Sequence, residues 1–527
     1  MKKIFIKESK KKSCRLSLLF ALVLLTMLTG LHQSRAQSDY DLRDQRLRGA
    51  LNLYEKKQLI PAASALFSIR TRSELRPYRG LIYLTLGKIF LELNFPQIAA
   101  WQFANVIMVN DQNYNKKALE YLSIAADRLG DETILNYAVS KMKISDFPAQ
   151  EKDMLFFRMG EIKFRNKDFK GAIEAFDRVS SDSTYSEMAQ YMAGSSFATI
   201  NDTGAAISKF EALLANKKRS VTDDTRVSTI MALARAYYQK KDWDRSLEYY
   251  RRVPRDHELW HNALFESAWA NLREGKFRSA LGIFHSLHST YYDDFYVPES
   301  LVLRAIVYLY ICKYDEVNKV VGLFERSYGD VQARLTNFLR STNDPGAYYD
   351  EIEHGLLMKK IIQDGRKPAE GRIPYRVIRN IIGKPDIERG LDYLRKLFLE
   401  REQLKRMSVG FLESPLGKYT IKLLIGRIKT AQKLIGIKAK IHMIYMKGEL
   451  KDLDEQVSYL RYEMIGLQKD ILKKKIAGQP IETAKIDDDS DRSYYVKNGY
   501  DYWPFQGEFW LDEIGNYFYV GKQSCEN

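Results

Sequence analysis

The chain has 527 residues, 45% of them hydrophobic, and a formal net charge of +16. This length is too great for one compact core and predicts two or three structural units. Helical periodicity dominates, and strand-like alternation is nearly absent before residue 490, which excludes a mainly β class and predicts an all-α protein. The first 36 residues hold eight Lys or Arg and one acid, so the remainder carries only +9. Such a mildly basic surface suits anionic lipid, an anionic cell-wall polymer or an acidic protein patch.

The first 36 residues have the pattern of a secretory signal peptide. A basic stretch precedes the apolar residues Leu16–Gly30, and Ser34 and Ala36 supply the small residues of a cleavage site before Gln37. The apolar stretch is shorter than the roughly 20 residues needed to span a bilayer, and an uncleaved N-terminal anchor is the alternative. We therefore expect export to a Gram-negative periplasm, with the outer membrane as a second location. Export leaves no role for nucleic acid and allows at most peripheral membrane contact.

Residues 42–330 carry a repeat with steps of 34 to 40 residues. Its clearest copies are Gly160, Ala172, Phe176 and Val179, followed 34 residues later by Gly194, Ala206, Phe210 and Leu213. Small residues at the first two positions let paired helices approach closely, and the aromatic ring fills the remaining gap. The second of these positions can be followed through eight units, at Ala63, Ala99, Leu135, Ala172, Ala206, Ser246, Ala280 and Val317. The aromatic or apolar position four residues later includes Phe103, Val139 and Tyr250.

This spacing resembles that of tetratricopeptide repeats, which have small residues at positions 8 and 20 and an aromatic at position 24. The resemblance implies an α-solenoid of helix pairs that binds other proteins and is not an enzyme. Its concave face should come from positions such as 5, 9, 12 and 13 of the first helix in each unit. We therefore predict a partner-binding groove that includes Tyr191, Arg235, Gln239, Trp269, Arg273 and Tyr310. The alternative is that these residues only cover the inner surface of the array.

The repeat pattern fades after residue 330. Asn343–Gly346 has the composition of a turn, and three prolines follow within the next forty residues. Residues 331–414 are accordingly predicted to be a junction of short helices.

One long helix is predicted for residues 415–476, which contain no proline after Pro415. Apolar residues spaced alternately by three and four form a coiled-coil seam at Met443, Met446, Leu450, Leu453, Val457, Leu460, Met464, Leu467 and Ile471. Such a seam needs a partner along its length, and residues 388–407 can fold back antiparallel over only part of it. We infer self-association, for example as a homodimer, or a second protein along the distal heptads. Burial against the end of the repeat array is the alternative.

Residues 477–527 combine a charged linker with an aromatic tail. Aromatic residues on both sides of Gly515 and Asn516 predict a small β-hairpin, which must pack on another surface because an isolated hairpin is marginal in water. Cys312 lies in an apolar run and is expected to be buried as a small hydrophobic residue. Cys525 is then a candidate for an intermolecular bond, while a Cys312–Cys525 disulfide in an oxidising compartment stays open.

The segment from His257 to His261 reads His-Glu-Leu-Trp-His and matches the H-E-x-x-H zinc motif. Only three of its positions are fixed, so the match alone is a weak indication of zinc. Repeat phasing also puts His261 near the start of a helix and His257 in the preceding loop. We predict no catalytic residue, metal or cofactor, and a zinc-dependent peptidase is the enzymatic alternative.

The layout as a whole predicts a non-enzymatic scaffold for protein–protein interaction in a Gram-negative cell envelope. A signal peptide, a repeat array, a long helix and an aromatic tail resemble the secreted tetratricopeptide proteins of deltaproteobacterial gliding-motility machinery. That resemblance implies a component of an envelope-spanning motility complex. Expected partners are other envelope proteins, bound through the repeat groove and the coiled coil. A cell-wall-binding module is a further alternative.

Overall fold

A computed structural model describes residues 44–130, 133, 136, 152–215, 223–366, 371–480 and 508–519. The predicted signal peptide, the repeat positions Leu135 and Val139, and most of the charged linker lie outside these residues. Within the described residues the α-helices are α1 (Gln45–Glu55), α2 (Leu59–Ile69), α3 (Arg79–Glu92), α4 (Pro96–Val109), α5 (Gln112–Leu129), α6 (Lys152–Arg165), α7 (Phe169–Phe176), α8 (Ser186–Thr199), α9 (Thr203–Ala215), α10 (Asp223–Gln239), α11 (Trp243–Arg251), α12 (Trp260–Glu274), α13 (Phe277–Leu287), α14 (Pro298–Tyr310), α15 (Tyr314–Ser341), α16 (Pro345–Gln363), α17 (Tyr375–Ile382), α18 (Pro385–Lys405), α19 (Val409–Glu413) and α20 (Pro415–Ile476).

The described residues divide into two compact units, of which the first combines residues 44–115 with 407–420. In its described part, α1 packs on α2 and α3 packs on α4. The start of α20 belongs to the same unit, where the ring of Tyr419 lies 4.9 Å from that of Phe67.

The second unit consists of the described residues between 116 and 406 and between 421 and 519. It contains a series of helix pairs, α6–α7, α8–α9, α10–α11, α12–α13 and α14–α15. A Cβ atom on Gly160 would overlap the ring of Phe176, and one on Gly194 would overlap Phe210. These are the small and aromatic positions of the predicted repeat, so the packing inferred from their spacing is confirmed. The all-α repeat array is also confirmed within the described residues.

The turn inside a helix pair recurs in three consecutive repeats. A residue with positive φ ends the first helix, and an Asp at the next position caps the second, in Lys167-Asp168, Asn201-Asp202 and Lys241-Asp242. The Asp carboxylate accepts a backbone N–H three residues later, which satisfies one of the free donors of the first turn. This local chemistry sets where each second helix begins.

Helices α15 to α18 differ from the predicted junction of short helices. Helix α15 has 28 residues and continues past residue 330, while α16 has 19 residues and α18 has 21. Helix α18 runs antiparallel to α20, because Asp386 bonds to His442 (3.0 Å) and the later Gly390 faces the earlier Ile435. The predicted fold-back of this segment is therefore present.

Helix α20 has the predicted bounds and 62 residues, which corresponds to about 90 Å at 1.5 Å per residue. Seven seam residues are buried within the same chain, namely Met443, Met446, Leu450, Leu453, Val457, Leu460 and Met464. Tyr296 donates a hydrogen bond to Glu449 (3.2 Å), and Arg461 pairs with Glu325 (2.8 Å), so the repeat helices lie along this part of α20. The inference of a second chain along these seven positions is therefore wrong, because the end of the array already covers them.

The tail also differs from its prediction. Residues 508–519 contain no strand, and their backbone turns, with Ile514 N–H donating to Trp510 O (3.2 Å). The backbone polar groups of this segment bond to the repeat array instead of to a second strand: Gly515 N–H donates to Ser286 Oγ (2.8 Å). The hairpin prediction is thus wrong for the described part of the tail.

Cys312 is half-buried and disulfide-bonded, so the expectation of a buried free thiol is wrong. The other cysteines, Cys14 and Cys525, lie outside the described residues. Among the helices that the structure describes, none combines the length and apolar character needed to cross a bilayer.

Candidate partner-binding groove

A concave site of about 440 Å³ lies on consecutive repeats of the second unit, and we call it the repeat groove. Helix α12 contributes three of its residues at spacings of three and four, which places them on one helix face. Helices α10, α11 and α14 complete the lining, which consists of Arg235, Tyr238, Tyr250, Glu266, Trp269, Arg273 and Glu299. Aromatic rings and both signs of charge therefore meet in one concave surface.

Two successive repeats are joined across this groove by Arg235 and Glu266. The guanidinium donates from Nε to Oε2 (2.7 Å) and from Nη2 to Oε1 (2.6 Å), and the Tyr250 hydroxyl donates to Oε2 (3.0 Å). The bonds to Glu266 raise the pKa of Arg235, and burial together with the Glu266 charge raises that of Tyr250. The Nε and Nη2 hydrogens of Arg235 are thus both bonded to Glu266. The pair therefore forms part of the groove's structure and is not the group that would bind a ligand.

Trp269, Arg273 and Glu299 line the groove without taking part in the Arg235–Glu266 pair. The guanidinium of Arg273 lies 5.6 Å from the Trp269 ring, is exposed, and forms no ion pair with any residue that the structure describes. Burial raises the pKa of Glu299, and a hydrogen bond from the Trp269 side chain opposes that rise. An incoming chain would meet an aromatic surface with one available cation beside it.

Three of the six predicted partner-binding residues meet in this groove: Arg235, Trp269 and Arg273. Tyr191 lies beside the groove, with its ring 5.8 Å from that of Phe210. Burial raises the pKa of Tyr191, and the nearby charge of Arg235 opposes that rise. The other two predicted residues have different surroundings.

Gln239 ties α10 to the preceding repeat, because its amide donates to Asn201 Oδ1 (2.7 Å) and Ala198 O (3.3 Å). Tyr310 packs on Phe277 (4.8 Å) and lines a separate groove described below. The prediction of a single surface containing all six residues is therefore too broad.

Sequence reasoning missed Tyr238, Tyr250, Glu266 and Glu299. Tyr238 occupies position 12 of its repeat, so the rule already applied could have found it. The acid at Glu266 could have been found as a charge complement to Arg235 in the preceding repeat. No sequence signal points to Glu299, whose place depends on where α14 starts.

The H-E-x-x-H segment does not lie on one helix. Helix α12 begins at Trp260, and His257 lies in the turn before it, where its Nδ1 accepts the Leu259 backbone N–H (3.1 Å). His261 is buried, stacks on Phe295 (4.0 Å), and has its pKa lowered to about 3 by burial and by Arg379. The zinc-peptidase alternative requires both histidines on a single helix face, and this geometry does not provide it.

A second concavity, which we call the distal groove, has a volume of about 950 Å³ and lies between the α14–α15 connection and the last turns of α20. Its apolar lining includes Ile306, Leu309, Tyr310, Leu460, Leu467 and Ile471. Leu467, a seam residue, is 39% exposed. The predicted seam therefore continues into this groove beyond the part that the repeat helices cover.

The tail packs on α13, the second helix of the repeat whose first helix carries Arg273. Tyr519 N–H donates to Arg278 O (3.3 Å), and the Arg278 guanidinium donates back to Tyr519 O (3.1 Å). The His285 ring lies near both Phe509 (4.9 Å) and Tyr517 (5.0 Å). The described tail is thus an ordered part of the second unit.

Comparison with known proteins supports the repeat assignment. A family model for the tetratricopeptide repeat matches residues 229–257, which span most of α10 and all of α11. No curated protein matches the sequence significantly.

The solved structures that match this chain share little sequence with it. A tetratricopeptide repeat protein from Parabacteroides merdae is 14% identical and covers 47% of this chain and 93% of its own, with a TM-score of 0.27. The apo form of RapI is 11% identical, with coverages of 69% and 98% and a TM-score of 0.35. A Rap protein complexed with competence and sporulation factor is 12% identical, with coverages of 68% and 99% and a TM-score of 0.29.

Proposed function

We propose that this tetratricopeptide-repeat protein is a non-enzymatic scaffold that binds a peptide segment of a partner protein in the repeat groove. The observation that carries the proposal is the arrangement of Trp269 and Arg273 beside the internally paired Arg235 and Glu266. The paired residues join two successive repeats, and the other two offer an aromatic surface and an available cation.

The groove chemistry indicates what the bound segment contains. An apolar or aromatic side chain fits against Trp269 and Tyr238, because burial of such a group on an aromatic surface is favourable. An acidic side chain fits beside Arg273, where a charge-assisted hydrogen bond can form. The proposed ligand is therefore an extended segment in which an apolar residue and an acidic residue are close in sequence.

A peptide-binding measurement tests this proposal. An array of random decapeptides is probed with the purified chain, and the best binder, carrying a fluorescent label, is then titrated by fluorescence anisotropy. We expect Trp269→Ala and Arg273→Glu each to weaken binding at least tenfold, with the charge effect diminished by salt. Arg251→Glu, an exposed change on α11 outside the groove, is the matched control. If both groove variants bound the peptide as strongly as the unmodified chain does, the proposal would be overturned.

The cellular setting that we propose is the envelope of a Gram-negative bacterium, with the protein periplasmic or associated with the outer membrane. The pattern of residues 1–36 supports export, and the layout supports a place in an envelope assembly such as a motility complex. N-terminal sequencing of the protein from its native envelope should begin at Gln37. Recovery of the uncut chain in the cytoplasmic fraction would exclude this setting. A cell-wall-binding role stays a prediction, tested by salt-sensitive sedimentation with peptidoglycan.

A further inference from the structure

Helix α20 carries a second apolar stripe on the side opposite its seam. Leu434, Ile437, Ile441 and Ile444 are spaced by three, four and three residues, which places them on one helix face. Each of these side chains is between 43% and 50% exposed. Single exposed apolar residues are ordinary on protein surfaces, but a contiguous stripe indicates an interaction site. We call this stripe, together with the exposed Tyr445 beside it, the outer face of α20.

The neighbouring helices attach to α20 on either side of the outer face. On one side, Lys440 donates to Asn343 Oδ1 (2.7 Å), just before the start of α16. On the other side, Lys438 donates to Asp386 O (3.0 Å), at the start of α18. The outer face lies between these two attachments, turned away from both helices. Neither helix therefore covers it.

The charge of this part of α20 has a single sign. Residues 421–448 contain seven Lys or Arg and no Asp or Glu. Lys422, Lys429 and Lys433 are exposed and form no ion pair with any residue that the structure describes. Their spacings of seven and four residues place them along one edge of the apolar stripe. The outer face thus combines aliphatic side chains with a row of available cations.

We propose that the outer face of α20 binds an anionic lipid surface. The helix lies flat on the bilayer, with its aliphatic side chains at the acyl boundary and its lysines at the phosphate headgroups, which their long stems allow them to reach. Apolar burial and attraction to anionic lipid both contribute to binding of this kind. The opposite side of α20 stays buried within the chain, so the contact is peripheral. The repeat groove lies on other helices, so this proposal does not depend on peptide binding there.

A second copy of this chain does not suit the outer face. In a pair of helices, residues that flank the apolar stripe face their counterparts, so Lys433 and Lys440 would meet other lysines. Residues 421–448 contain no acid to compensate for that repulsion.

Lipid also suits this surface better than an acidic protein does. Six of the seven cations in residues 421–448 are lysine, which is depleted at protein–protein interfaces, whereas arginine is enriched there. Fixed recognition of carboxylates favours the planar fork of arginine. Mobile lysines, in contrast, can each find a phosphate in a fluid array of headgroups.

Vesicle sedimentation tests the proposal. The chain is exported with its own leader, purified, and mixed with vesicles of phosphatidylcholine alone or of phosphatidylcholine with about 30% phosphatidylglycerol. We expect at least tenfold stronger binding to the anionic vesicles, and the difference should shrink as salt is added. Equal binding to the two kinds of vesicle, or binding to neither, would overturn the proposal. Loss of peptide binding in the repeat groove would leave this result unchanged.

Two matched pairs of variants locate the lipid contact on α20. Ile441→Asn and Lys433→Glu should each weaken binding to the anionic vesicles at least fivefold. Ile465→Asn and Lys469→Glu make the same changes at exposed positions in the second half of the helix and should weaken binding less than twofold. Melting temperatures report whether each variant stays folded. Equal losses within each pair, or unchanged binding in the first two variants, would place the contact elsewhere and overturn the proposal.

Fluorescence quenching tests whether the outer face reaches the acyl chains. Tyr445→Trp places a reporter on the outer face, and Tyr459→Trp places one at an exposed position further along α20. Lipid brominated in its acyl chains should quench the added fluorescence of the first variant at least twofold more than that of the second. Equal quenching would overturn the proposed placement. Displacement of the chain from vesicles by polyglutamate, with binding to it that Ile441→Asn weakens, would instead assign the face to an acidic protein.

Discussion

The carbonyl oxygen of Tyr517 lies where a Cβ atom on Gly282 would project. Gly282 is in the middle of α13, where glycine is usually unfavourable by about 1 kcal/mol relative to alanine. Glycine at this position therefore serves the docking of the tail, because a side chain here would keep the tail backbone from approaching the helix this closely. Ser286, one turn later, is likewise not a strong helix former. Its hydroxyl oxygen accepts the Gly515 N–H. Helix α13 is thus adapted to hold the tail.

Gly282→Ala should release the tail while leaving the repeats folded. The new methyl group collides with backbone that cannot rotate away, whereas the helix itself gains propensity. We expect exchange of the Gly515 and Tyr519 amides to rise at least tenfold, measured by hydrogen exchange, with no fall in the melting temperature of the array. Gly329→Ala, in α15 with open space around it, is the control. Unchanged exchange in Gly282→Ala would show that the tail does not depend on this contact.

Glu266→Ala should destabilise the second unit by about 1–3 kcal/mol, because Arg235 and the hydroxyl of the buried Tyr250 both lose their acceptor. Arg235→Ala should cost less, about 1 kcal/mol at most, since its side chain is 53% exposed and solvent weakens the pair. Urea unfolding measures both. Glu248→Ala breaks an exposed ion pair with Arg252 and should change stability by less than about 0.5 kcal/mol. If Glu248→Ala lost as much stability as Glu266→Ala, the pair between repeats would have no special role in stability.

Stability of the second unit should fall as pH drops below about 6.5. Burial and Arg379 lower the pKa of His261 to about 3, while an unfolded histidine titrates near 6.5. Between these values the unfolded chain binds a proton that the folded chain excludes, so acid favours unfolding. At pH 5 this effect of His261 lowers the free energy of unfolding by about 2 kcal/mol relative to neutral pH. Replacing it, as in His261→Leu, should make the free energy of unfolding less steep between pH 7 and pH 5. An unchanged slope in that variant would contradict this assignment.

Leu450→Ala should destabilise the second unit by about 2–5 kcal/mol, because Leu450 is 1% exposed on α20 and its truncation leaves a cavity. Tyr462→Ala on the same helix removes a 78% exposed side chain and should have an effect within about 0.5 kcal/mol. Urea unfolding and light scattering are compared for both variants. Dissociation of a dimer by Leu450→Ala, without any loss of monomer stability, would restore the view that the seam joins two chains.

Part of the groove could be predicted because repeat position determines which way a side chain points. Arg235, Trp269 and Arg273 were found from their positions in the first helix of a unit, and Tyr238 follows from the same rule. Glu266 and Glu299 could not be placed in this way, because they occupy positions 6 and 2 of their repeats, outside the positions 5, 9, 12 and 13 to which the rule was applied. Position in a repeat predicts which way a side chain points. Formation of a site also requires that side chains on successive repeats lie close enough to meet.

The amino-acid sequence by itself determined the helix pairs and the bounds of α20. Gly160 and Phe176 are only sixteen residues apart, and helix geometry leaves few ways to pack them. The tertiary structure alone decided what covers the α20 seam and where the tail docks, through contacts such as Tyr296 with Glu449 and Gly282 with Tyr517. The physical reason is that hydrophobic burial is non-directional. An apolar seam specifies that it will be covered, but any apolar surface of matching shape can cover it.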